Sequence, residues 1–242
     1  MKITFSLSFI VAFVSMIFLI QELHDWAHVF TANWLCGCFG TKTFDSWTFC
    51  DHCEVSGNVL VLVWLAGPAI NYFFIWLAWS LLRRRNPGGT RSVGFALLYA
   101  ANPLPNIFAA LRGGGDITTS IRMLYQKPDN SNHFFISIFS LIVILALTIP
   151  PILKSVTLLK SNAERFILLP LFLLLPNLIE KLFVSYGMNQ VLKFGLFDED
   201  IFNGTPLLVL IWFFVIGLLL LINYKSLPNF IRKKEKRSAL RM

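Results

Sequence analysis

Six apolar runs, each near the length a helix needs to cross hydrocarbon, recur along this chain of 242 residues. About 20 apolar residues span a bilayer as a helix, and inside the bilayer every backbone polar group must be satisfied within the segment. The runs lie at about 3–34, 57–82, 92–111, 134–153, 166–183 and 206–224. Composition agrees, with 56% hydrophobic residues, 24 phenylalanines and only 14% charged residues, where a soluble domain carries about 25%. The expected fold is an all-α polytopic membrane protein of six transmembrane helices, a single domain over 1–242. No repeat or low-complexity tract interrupts it. Residues 1–20 imitate a signal peptide, but no small-x-small cleavage site follows, so the run reads as retained.

The first run ends in ionisable residues: Glu22, His24, Asp25 and His28. Such groups at the end of a span are costly unless they serve something. Histidines four apart share one helix face, with Cβ atoms about 5–6 Å apart, which suits one metal ion. The competing reading is a polar helix end reaching the headgroups. Asp25 follows the first histidine, where the zincin pattern H-E-x-x-H carries its general base.

The second run holds Gly67-Pro68-Ala69-Ile70-Asn71. A Gly-Pro pair loosens a helix and lets a neighbour come close, and Asn71 lies one turn on. The third run is broken by Asn102-Pro103-Leu104-Pro105-Asn106, then followed by Gly113-Gly114-Gly115-Asp116. Two prolines free backbone carbonyls beside protein or a wet cavity. Three glycines give a backbone able to fold back and aim one carboxylate. Glu180-Lys181, late in the fifth run, reads as an interfacial pair.

Charge sets the expected orientation. With six spans, fifteen of the 21 basic residues share the side of both termini, among them Arg83, Arg84, Arg85 and the tail from Arg232 to Arg241. The positive-inside rule then makes both termini cytoplasmic. The net charge of +8 reflects topology and anionic lipid, with no sign of nucleic-acid binding. Odd-numbered spans all end on the opposite face. His24, Asp25 and His28 are therefore expected to meet Asn102 and Asp116 there, and His24, His28 and Asp116 would supply the three protein ligands of a catalytic zinc.

In their order these features resemble the site-2 protease family of intramembrane zinc metallopeptidases. The counterparts are His24-Asp25-Trp26-Ala27-His28, Gly67-Pro68-Ala69-Ile70-Asn71 and Asn102-Pro103-Leu104-Pro105, over about residues 10–120. Asp25 stands where that family has glutamate. Asp116 follows Asn102 by more residues than the family's aspartate does, and comes after its glycines. The charges also place the site on the face opposite to the family's.

All four cysteines lie in the loop 36–54, as Cys36-Gly37-Cys38 and Cys50-Asp51-His52-Cys53. That spacing suits a second metal site or two disulfides. An oxidising side favours disulfides, and a nested β-hairpin pairing Cys36 with Cys53 and Cys38 with Cys50 fits the residues between. Such a hairpin would offer an edge to an extended substrate. H-D-x-x-H is also similar to the first histidine box of membrane desaturases, but four histidines are too few for their di-iron site; His52 and His133 read as solvated.

The expected function is a zinc-dependent membrane endopeptidase cutting a peptide or membrane-protein substrate near the membrane surface. Asp25 would take the proton, helped by Glu22, and Asn102 would orient the substrate backbone or an oxyanion. Asn71 and Asn106 would contact substrate. The alternative is an inactive relative serving as a binding or assembly module; the sequence names no natural partner and no oligomeric state. For the orientation, a membrane-impermeant thiol reagent is expected to label Asp198→Cys from outside the cell and Arg84→Cys only after lysis. The reverse pattern would put the site on the cytoplasmic face.

Overall fold

The computed structural model describes residues 2–3, 5–125, 133–159, 161–195, 197, 199–202 and 204–232. Lys160, Asp198, Asn203 of the sequon Asn203-Gly204-Thr205, and the basic tail from Lys233 lie outside the described residues. All six apolar runs are helical and long enough to cross a membrane. This is an all-α, multi-pass membrane protein.

Helix α1 (Leu7–Cys36) starts later than its apolar run because Ser6 caps it, accepting from the Phe9 N–H at 3.1 Å. It ends at Gly37, whose left-handed φ of 71° lets its N–H reach the Asn33 carbonyl. Helix α2 (Gly57–Leu81) keeps Pro68 inside it. The third span is two helices, α3 (Gly88–Ala100) and α4 (Leu104–Leu111), broken where the asparagine–proline segment requires. Helix α5 (Asp116–Tyr125) was not expected from the sequence. The fourth span is α6 (His133–Val156). The fifth, α7 (Asn162–Glu180), opens with a Ser161–Glu164 capping box. It runs on through a π-helical stretch, Lys181–Met188, into α8 (Asn189–Lys193), ten residues past its apolar run. The last span is α9 (Leu207–Asn223), followed by a 3₁₀ turn at Tyr224–Asn229.

Two short antiparallel pairs close the ends. Strand β1 (Lys2–Ile3) pairs with β4 (Ile231–Arg232), and β2 (Asp200–Phe202) with β3 (Thr205–Pro206). Beside the first pair lies an aromatic core. Phe9 stacks on Phe230 at 4.2 Å, while Phe172 meets Phe13 and Phe95 edge-on, each at 5.2 Å. Offset and edge-on aromatic contacts add to what their burial contributes.

At the other end the Cys loop is a hairpin, with disulfides Cys36–Cys53 and Cys38–Cys50 and no free cysteine. Thr41 and Thr48 pair across it through backbone and side chains, and Lys42 bridges to Trp47. Its edge is not left for a substrate at Lys42, whose N–H donates to the Gly204 carbonyl at 3.0 Å. Phe44 is buried against Phe18, Val209 and Trp212.

Lys42 is fully buried and donates to Glu22 Oε2 at 2.8 Å; its Nζ is 4.0 Å from Asp25 Oδ2 and 5.7 Å from the centre of the Trp26 ring. Removing one partner of a buried ion pair leaves the other charge uncompensated, at a cost of about 3–5 kcal/mol. Lys42→Met is expected to lose about that much stability in thermal unfolding of the detergent-purified protein. Adding Glu22→Gln should restore part of it, because the orphaned charge is then gone.

Candidate metal centre

His24 and His28 leave α1 from one face, and α2 lies directly against them. A Cβ built on Gly67 would collide with Nε2 of His28 and sit 2.6 Å from Nε2 of His24. Only glycine lets the helices come this close. His28 Nδ1 lies 2.6 Å from the Val63 carbonyl, one turn before Gly67. A carbonyl can only accept, so Nδ1 carries the proton and Nε2 presents its lone pair. Trp47 of the hairpin stacks on the His28 ring at 4.7 Å and 15°.

Asp116 arrives from the third span by the glycine turn. Gly113 and Gly115 take φ of 74° and 86°, and Arg122 clamps the turn by donating to the Gly113 carbonyl at 2.7 Å. Close packing also matters, since a Cβ on Gly115 would lie 2.7 Å from Ala109 Cβ. As the first residue of α5, Asp116 has its carboxylate at a helix N-terminus, which favours negative charge.

Three atoms then converge. Nε2 of His24 and Nε2 of His28 are 3.1 Å apart, and Asp116 Oδ2 lies 3.2 Å and 3.5 Å from them. A tetrahedral ion with bonds of about 2.0–2.1 Å separates its ligands by about 3.3–3.4 Å. The triangle therefore has the edge length of one face of such a tetrahedron. This His-His-Asp group can hold a metal ion. His28 is sealed, with a side chain 1% exposed, whereas Asp116 keeps 22%, so the open direction lies on the Asp116 side.

The other expected residues are placed differently. Asp25 is buried beside the centre but outside the ligand group; Gln21 Nε2 donates to its Oδ1 at 3.3 Å, and Oδ2 has no hydrogen bond among the described residues. Asn71 is buried, and its Oδ1 has no hydrogen bond among the described residues. Asn102 is buried too, and donates to Asn177 and Glu180. Asn106 is half-buried in α4, and its side chain makes no hydrogen bond among the described residues. The four cysteines are disulfide-bonded and offer no second metal site. His52 and His133 are exposed, as expected.

Glu180 corrects the sequence reading. It is no interfacial partner of Lys181; no ion pair joins them among the described residues, and its carboxylate accepts from Asn102 at 3.2 Å. A glutamate one turn after Pro176-Asn177 in an apolar span was the available signal. Lys42 gave no signal, since nothing in a loop lysine announces a carboxylate partner on a distant helix. Native interiors leave few buried polar atoms unpaired. Among the described residues the buried side-chain atoms without a hydrogen bond include His24 Nδ1, Asp25 Oδ2, Asn71 Oδ1 and Asn102 Oδ1, together with Arg91 Nε, Thr205 Oγ1 and Trp212 Nε1 on other elements.

Comparison with protein-family models, with curated proteins and with solved structures finds no match to this chain.

Gly67→Ala tests the geometry, because alanine is the better helix former by about 1 kcal/mol. Cobalt(II) titration followed by visible absorbance is expected to show binding about 100-fold weaker or worse, since displacing a supporting group alone costs about 10–100-fold. Unaltered cobalt binding would mean that the two histidines do not share an ion.

Proposed function

We propose that this chain is a zinc-dependent, membrane-embedded endopeptidase of site-2 protease type, cutting peptide bonds at or near the membrane surface. The observation that carries the reading is the ligand triangle of His24, His28 and Asp116, with edges of 3.1, 3.2 and 3.5 Å. Two histidines and one carboxylate leave a fourth position open, the pattern of hydrolytic zinc and not of structural zinc. A zinc ion held there supplies Lewis acidity toward a peptide carbonyl and toward water.

The chain's own residues do the rest. Val63 fixes the ring of His28, and Trp47 excludes water from that side. Asp25 is the proton acceptor. Gln21 holds one of its oxygens, while Oδ2 keeps its lone pairs free of any hydrogen bond among the described residues. Glu22 does not share this work directly, because Lys42 engages it. By the charge distribution, both termini are cytoplasmic and the centre faces the extracytoplasmic side.

One observation favours the second reading, a metal-binding but proteolytically silent module: Asp25 Oδ2 lies 4.0 Å from the Lys42 ammonium, a partner that draws a carboxylate away from proton transfer. Metal analysis and cleavage of a quenched-fluorescent peptide library separate the two. About one zinc per chain is expected in the wild type, lost in His24→Ala and Asp116→Asn. Asp25→Asn should keep its zinc and lose about 100-fold or more in cleavage rate. Zinc without Asp25-dependent cleavage favours the silent module, and a zinc-free wild type removes both readings.

A further inference from the structure

Arg112 and Lys181 border one cleft of about 420 Å³ between α4 and the end of the α7 helix, floored by Pro105, Phe108 and Leu174. Pro105, Phe108 and Arg112 are spaced three and four apart and so share one face of α4; Leu174 and Lys181 are two turns apart on the fifth span. As odd-numbered spans the two run the same way, so apolar side chains fall at one end of the cleft and the cations at the other. Lys181 also opens the π-helical stretch Lys181–Met188, and such widened turns frequently mark functional sites.

Both cations are exposed, and neither side chain makes a hydrogen bond or an ion pair among the described residues. The carboxylates at the cleft already have donors: Glu180 accepts from Asn102 at 3.2 Å, and Asp45 accepts from Ser185 at 3.1 Å. Nor do Arg112 and Lys181 belong to the basic residues on the side of both termini, so the rule that gathers positive charge there does not account for them. A single long basic side chain at a membrane surface needs only water at its tip. Two beside one cleft present charge and donors to the same anion.

The cleft continues into a second groove. That groove, about 660 Å³ and walled mostly by leucine, follows α7 from Lys181 back to Ile167 and shares Leu174, Asn177 and Lys181 with the cleft. At ~1.5 Å per residue the stretch covers about 21 Å, more than the ~15 Å of one leaflet's hydrocarbon. We propose that cleft and groove together bind one anionic phospholipid of the bilayer, its phosphate between Arg112 and Lys181 and one acyl chain lying along α7 over Leu174. The cations select an anionic headgroup, and the continuous apolar wall selects a lipid over a free phosphate. The site goes beyond the peptidase reading and does not depend on it.

Native mass spectrometry of the detergent-purified protein, titrated with dioleoyl phosphatidylglycerol or dioleoyl phosphatidylcholine, tests the assignment. The wild type is expected to hold a single phosphatidylglycerol about fivefold or more tightly than phosphatidylcholine. Arg112→Gln and Lys181→Gln should each weaken phosphatidylglycerol binding about fivefold and together about 25-fold, the scale of one basic residue each at an anionic surface. Lys193→Gln, which removes an exposed cation outside the cleft, should stay within about twofold. Leu174→Trp fills the joint between cleft and groove and should weaken binding about tenfold with both cations in place. Neither cation has a partner to lose among the described residues, so the unfolding temperature in lipid-free detergent should not move in the two Gln variants. Equal affinity for the two lipids, a double variant that binds like wild type, or a Lys193→Gln loss matching it overturns the proposal. So does a Leu174→Trp variant that binds like wild type, or displacement of the lipid by an equal concentration of glycerol phosphate, which would make the ligand a free phosphate.

Discussion

The centre depends on α2 approaching α1 with no side chain between them. At Gly67 the two imidazole nitrogens occupy the space a Cβ would take. That contact does three things at once. It aligns the Val63 carbonyl, one turn back, with His28 Nδ1. It sets Asn71, one turn on, against the same polar interior. It also gives α5 a surface, since α5 packs along α2 and delivers Asp116. Glycine at this point costs helix stability relative to alanine, and the cost is offset by the close approach that it alone permits.

A second constraint is the charge that α1 carries into the interior. Glu22 and Asp25 are both buried, and an isolated carboxylate in hydrocarbon is prohibitively expensive. Lys42 answers them from the hairpin, and the two disulfides hold the hairpin to the end of α1. The Cys loop is therefore less an appendage than the third wall of the site. Its lysine balances the carboxylates, its tryptophan covers His28 and its Phe44 anchors it among Phe18 and Trp212.

What the sequence made legible was local or periodic. Apolar length located every span, because crossing hydrocarbon is a one-dimensional requirement. The four-residue spacing of His24 and His28 put them on one face, and the rule that odd spans end together brought Asp116 into range. The glycines did fold the chain back. Partnerships made by tertiary contact were not legible. Lys42 meets Glu22 across a loop, and Glu180 meets Asn102 at a separation of 78 residues. Helix α5 was missed because, after three glycines, its polar sequence looks like a loop until α2 and α6 supply a face for it. The π-helical run from Lys181 to Met188 was hidden too, as a widened turn has no compositional mark.

The two ends of the molecule divide the labour. One end is aromatic: Phe9, Phe13, Phe95, Phe172 and Phe230, drawn from α1, α3, α7 and the chain's last strand region, interlock within about 6 Å of one another. The other end is polar, and the same spans supply it, through His24 and His28 on α1, Asn102 after α3 and Glu180 on α7. Rigid packing at the first end fixes the angles at which the helices reach the second. A site whose polar atoms are incompletely paired cannot hold itself together, because each unpaired buried group favours opening. Its geometry must be imposed from elsewhere. The aromatic end and the disulfide-bound hairpin impose it from either side, which lets the centre keep buried acceptors such as Asn102 Oδ1 and Asp25 Oδ2 without a hydrogen bond among the described residues.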